Sequence, residues 1–90
     1  MQAPPTLNAR QRRTLLAVFE EPVPANMAWS AIERLLLAVG ARQIEGRGSR
    51  VRFAFGDEVE NFHRPHPSKE AKRYQVRAAR DFLRRIGITP

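Results

Sequence analysis

The stretch Ala41-Arg-Gln-Ile-Glu-Gly-Arg-Gly-Ser-Arg-Val-Arg-Phe-Ala-Phe-Gly-Asp-Glu-Val-Glu-Asn-Phe-His63 decides the fold. In its middle, Val51, Phe53 and Phe55 alternate with Arg50, Arg52 and Ala54. That period of two gives a strand one apolar and one polar face. Gly46-Arg47-Gly48 and Gly56-Asp57 bracket this strand, expected over Ser49–Phe55, with turn residues. The flanks, Ala41–Glu45 and Glu58–His63, then pair with it as antiparallel neighbours. In the third strand Val59 and Phe62 sit on opposite phases, so burying both needs a bulge or an end effect.

Outward from the sheet, the apolar period lengthens. Trp29, Ile32, Leu35, Leu36 and Val39 form one helical stripe, with Gly40 in the C′ position and Asn26 or Ser30 as N-cap; Ser30 with Glu33 reads as a capping box. Downstream, Pro65, Pro67 and Ser68 interrupt the chain before a helix expected from Lys69 or Ala71 to Ile86. That helix buries Val76, Ala79, Leu83 and Ile86, with Phe82 at the edge. Upstream, Thr6 or Asn8 can cap a helix over about Ala9–Phe19, with Leu15, Leu16 and Phe19 on one side; Pro22 and Pro24 end it. The expectation is an α+β domain at 26–90, a three-stranded antiparallel sheet with helices packed on one face, preceded by an N-terminal helix and proline-rich connector at 1–25.

Ninety residues suit one modest core. The chain has no cysteine, which excludes disulfide staples and thiolate metal sites and suits the cytosol. No secretory leader or membrane span is expected, since the longest apolar run is Leu35–Val39. Sixteen Lys and Arg against nine Asp and Glu give a net charge of +7. Of this excess, +6 falls between His63 and Pro90, which holds eight basic and two acidic residues. So localised a charge raises the local concentration of phosphate and points to nucleic acid, with an acidic protein as a compatible second partner.

Four features can carry chemistry. Lys69, Arg73, Arg77, Arg80 and Arg84 line up at helical spacing beside the buried stripe of the last helix, a ridge suited to a phosphate backbone. Lys72, in Ser68-Lys-Glu-Ala-Lys-Arg73, belongs to a basic helix start of the kind that touches phosphates across an RNA groove. Gly46-Arg47-Gly48-Ser49-Arg50 reads either as an anion-holding turn, with Arg52 following, or as an ordinary glycine hairpin. His63-Arg64-Pro65-His66-Pro67 contains both histidines. Two imidazoles and a cation suffice for metal-free RNA cleavage, and no third ligand stands at metal-site spacing. These cations are expected to converge on one side of the molecule, with the imidazoles nearby.

From about Trp29 to Pro90 the chain resembles the HicA family of toxins. The resemblance rests on Leu36-Leu-Ala-Val-Gly-Ala41, on Gly46-Arg-Gly-Ser49 leading into a strand, on Phe62-His-Arg-Pro-His-Pro67, and on the closing Val76, Arg80, Phe82-Leu83 and Gly87-Ile88. It implies a fold of the double-stranded RNA-binding-domain type and a cofactor-free endoribonuclease acting on mRNA, restrained by an acidic HicB-like antitoxin. Such toxins typically place a catalytic histidine directly after the Gly-Ser of the turn; here Arg50 stands there. A guanidinium does not release its proton at neutral pH, so Arg50 can hold phosphate but cannot act as base. The base role then passes to His66 or His63. Two alternatives stand beside the nuclease: a non-catalytic RNA-binding domain of the same fold, and a basic module that meets an acidic protein.

Overall fold

A computed structural model describes residues 6–90. Pro4 and Pro5, in the stretch where no leader is expected, lie outside the described residues. The order is α1 (Ala9–Val18), α2 (Trp29–Ala38), β1 (Arg42–Glu45), β2 (Arg50–Phe55), β3 (Glu58–His63) and α3 (Arg73–Arg85). The strands form one antiparallel sheet, β1-β2-β3. This is the α+β arrangement expected from the alternation in 41–63, consistent with the double-stranded RNA-binding-domain type.

The core forms where the sheet's apolar face meets the helices. Val51, Phe53 and Phe62 are buried together with Trp29, Ile32, Leu35 and Leu36 of α2 and Val76, Ala79, Phe82 and Leu83 of α3. Burying one such side chain contributes about 1.5–3 kcal/mol. Trp29 stacks at 5.0 Å from Phe62, which meets Phe53 at 6.1 Å. The β2–β3 register is continuous from Arg50 opposite His63 to Phe55 opposite Glu58, with no bulge. The conflict between Val59 and Phe62 is resolved by leaving Val59 on the open face, 43% exposed.

Helix ends follow local chemistry at three points and tertiary pairing at two. Asn8, not Thr6, caps α1: its Oδ1 accepts from Gln11 N at 2.8 Å, and Gln11 Oε1 accepts from Asn8 N at 3.0 Å. Leu16 faces outward. Gly40 ends α2 at φ +103°, and an added Cβ there would lie 3.2 Å from the Phe55 ring. Behind α3, Ile88 N donates to Leu83 O at 2.8 Å, closing the last turn around Gly87.

Neither Asn26 nor Ser30 caps α2. Its cap is Ala28, without a side-chain hydrogen bond, and Trp29 N donates instead to Lys69 O at 3.0 Å. Ala71 N donates to Met27 O at 2.7 Å, so the chain before α3 lies as a short ladder against the chain before α2. This pairing holds Lys69–Ala71 extended and moves the start of α3 to Arg73, beyond the start expected from sequence.

The N-terminal helix shares the same core through Leu15 and Val18, with Leu7 just before it, and packs on α2 and α3. Arg80 fastens it. Arg80 is 8% exposed; its Nε and Nη2 donate to Val18 O and Glu20 O at 2.8 Å each, and Nη1 pairs with Glu21. A buried cation thus satisfies carbonyls at the C-terminal end of α1, where the helix dipole is negative. Replacing Arg80 with Ala leaves two carbonyls without that donor and is expected to cost about 2 kcal/mol or more in urea denaturation, with Arg80→Lys recovering little because it lacks the fork. Unchanged stability in the alanine variant would contradict this account.

Candidate nucleic-acid interface

Because Val51 and Phe53 point into the core, their neighbours Arg50 and Arg52 point the other way. Directly opposite them on β3 stand His63 and Asn61, and on β1 Ile44 faces Arg52. Arg52 Nε donates to Asn61 Oδ1 at 3.0 Å. With the hairpin residues Gly46 and Arg47, these side chains line a hollow of about 490 Å³. The sheet therefore brings three arginines, one imidazole and one amide into one open site. Asn61 belongs to no sequence motif; its signal is its place two residues before His63, hence on the same face of β3.

The floor of this site is wired to the rest of the molecule. Arg64 Nε donates to Glu33 at 2.7 Å, and its two terminal nitrogens grip both oxygens of Glu45 at 2.7 Å. Glu33 also accepts from Trp29 Nε1 at 2.6 Å, in place of the capping box expected with Ser30. Arg64 N donates to Ser49 O at 2.8 Å, tying the end of β3 to the glycine hairpin. Gln75, almost fully buried, donates to His63 O at 2.6 Å and accepts from Lys72 N at 2.9 Å. His63 and Arg50 thus sit on a backbone fixed from α2, α3 and β1. At the other end of β3, Arg85 pairs with Glu58, Glu60 and Asp81.

Other basic residues occupy different places from those the sequence suggests. Arg64 is committed to two carboxylates and is not free for phosphate. Arg80 is buried under α1. Lys69 precedes α3 and is not on its ridge. Of the remaining ridge residues, Arg84 stacks on Phe19 at 5.3 Å, and Arg77 and Arg84 both act on Glu21, whose carboxyl is held below its ordinary value by the hydrogen bond from Arg80 and then by these charges. Lys72 and Arg73 border a second hollow, which His66 lines. The expected single cationic face is divided. The hairpin arginines lie on the open side of the sheet and the α3 arginines on the helical layer, and the two imidazoles line separate hollows. Ser49 is exposed in the hairpin.

Among the described residues, no group of three or more His, Cys, Asp or Glu is placed to hold a metal ion, and no helix is long and apolar enough to cross a membrane.

A family model described as the HicA toxin of bacterial toxin–antitoxin systems matches residues 29–88, which span α2 through the end of α3 and include every residue lining the first hollow and all but Ala25 of the second. No curated protein and no solved structure matches the chain.

The wiring has a pH signature. Hydrogen bonds from Arg64 and then Gln43 lower the Glu45 carboxyl from 4.5 to about 2. A carboxyl depressed by folding stabilises the protein fully above its ordinary value, and that contribution is lost as pH falls from about 4.5 to about 2. Glu45→Gln is therefore expected to weaken the protein more at pH 7 than at pH 2, read by urea midpoints at both pH values. An equal effect at both would show that the Arg64–Glu45 tie does not hold the site.

Proposed function

The chain belongs to the HicA toxin family, and on that premise we propose that it is an RNA-binding toxin that cleaves mRNA at the hollow containing Arg47, Arg50, Arg52 and His63. The observation that carries this reading is the register that sets Arg50 directly opposite His63 on the open face of the sheet. That pairing joins a permanent cation to an imidazole, the side chain best suited to moving protons near neutral pH.

In this reading Arg47 and Arg50 grip the scissile phosphate and neutralise the charge that builds on it, and Arg52 with Asn61 holds the flanking strand. His63 takes the proton from the 2′-hydroxyl, whose oxygen attacks phosphorus. The bond to the 5′-oxygen breaks, and that oxygen takes a proton from water, since His66 lines the other hollow. Arg50, in the position where such toxins typically carry a histidine, supports the reaction as a cation while the base role sits across the ladder on His63. Lys72 and Arg73 contact the strand beyond the scissile position. Lys69, Arg77 and Arg84 add long-range attraction, and Ser49 adds a hydroxyl at the hairpin.

The same open face exposes Ile44 and Val59, at 39% and 43%, beside Arg42 and Arg52. Apolar side chains among arginines suit a protein that brings carboxylates and an apolar anchor. This favours an acidic HicB-like antitoxin as the partner that covers the site.

The test is cleavage of a defined RNA by the purified protein in the presence of a chelator. His63→Ala is expected to lower the rate by about 10²–10⁴ with RNA affinity retained, and His66→Ala to lower it little, since water supplies the second proton. Affinity without hydrolysis in the native protein would leave the non-catalytic RNA-binding reading. Cleavage unaffected by either substitution would place the chemistry elsewhere.

A further inference from the structure

Tyr74 is 61% exposed, the most exposed large hydrophobic side chain among the described residues, and nothing in the proposed reaction uses it. It stands in the first turn of α3 and lines the second hollow, about 460 Å³, with Pro65, His66, Ser68, Lys72 and Arg73. Lys72 and Arg73 make no ion pair among the described residues. Glu70, whose backbone pairs with Ala28, also borders the hollow.

We propose that this second hollow is a nucleobase subsite, in which Tyr74 stacks an unpaired base of the RNA while Lys72 and Arg73 hold its phosphates. The inference rests on the RNA-binding reading above and adds to it the form of the substrate. An aromatic ring that shares a hollow with two cations matches a nucleotide, which presents a flat face and an anion together. A free phosphate would gain nothing from Tyr74 and would be repelled by Glu70. A base bearing an exocyclic amino group gains from both, because a carboxylate accepts from that amine. Ring stacking needs a base already out of a duplex, so the subsite selects single-stranded RNA, although folds of this type commonly grip duplexes by shape. The two hollows are close. His63 lines one and His66 the other, three residues on, so their Cα atoms lie within about 11 Å and one strand can span both.

The test is fluorescence anisotropy with a labelled single-stranded oligoribonucleotide, 2′-O-methylated at every position so that no free 2′-hydroxyl can attack, and with the same strand in a duplex. Tyr74 is a surface residue, so its substitution leaves the core intact. Tyr74→Ala is expected to weaken single-strand binding about five- to a hundredfold, Tyr74→Phe to bind like the native protein, and the duplex to be indifferent to both. Replacing the stacked nucleotide with an abasic one is expected to abolish the difference between Tyr74→Ala and native protein. Equal single-strand affinity in the native and alanine proteins, or an equal loss on the duplex, would overturn the subsite and leave the RNA reading standing. Native protein that binds neither form would overturn both.

Discussion

The alternation of β2 is the constraint from which the rest follows. Val51 and Phe53 are drawn into the core against Trp29, Phe62 and the apolar stripes of α2 and α3. Since the side-chain period of a strand is two, burying these residues turns Arg50 and Arg52 outward, and antiparallel pairing fixes His63 and Asn61 opposite them. A slip by one residue would bring arginines into the core, at a cost far above the margin by which a domain of this size is stable. Hydrophobic burial on one face thus positions the polar groups on the other.

Buried and half-buried arginines then divide the chain's positive charge between structure and surface. Arg80 joins α3 to the end of α1, and Arg64 joins β3 to β1 and α2. Each meets carbonyls or carboxylates in a fork that lysine cannot reproduce. Arg47, Arg50, Arg52, Lys72 and Arg73 make no ion pair among the described residues and border the two hollows. A count of charges overstates the surface that can meet phosphate, because it cannot tell a clamp from a contact.

Local patterns made most of the fold legible. The strands follow from period two and two glycine turns, the end of α2 from Gly40, and the end of α3 from Gly87. What sequence left open came from contacts between distant segments. The start of α3 is not legible locally, because the pairing of Lys69–Ala71 with Met27–Trp29 joins pieces forty residues apart. The ridge lost Arg80 because its partners, Val18, Glu20 and Glu21, lie about sixty residues away. At the site, Arg47, Arg50, Arg52 and His63 were legible as residue types, and their meeting in one hollow required the β2–β3 register. Asn61 and Tyr74 belong to no motif; only their surroundings give them a role.

On the proposed function, the open sheet face organised by that register is where RNA meets this protein. Backbone amide shifts recorded as uncleavable RNA is titrated into the labelled protein test it most directly. Changes concentrated at residues 47–52 and 61–66 are the expected result. A footprint confined to α1 and the outer side of α2, with those strands undisturbed, would contradict it.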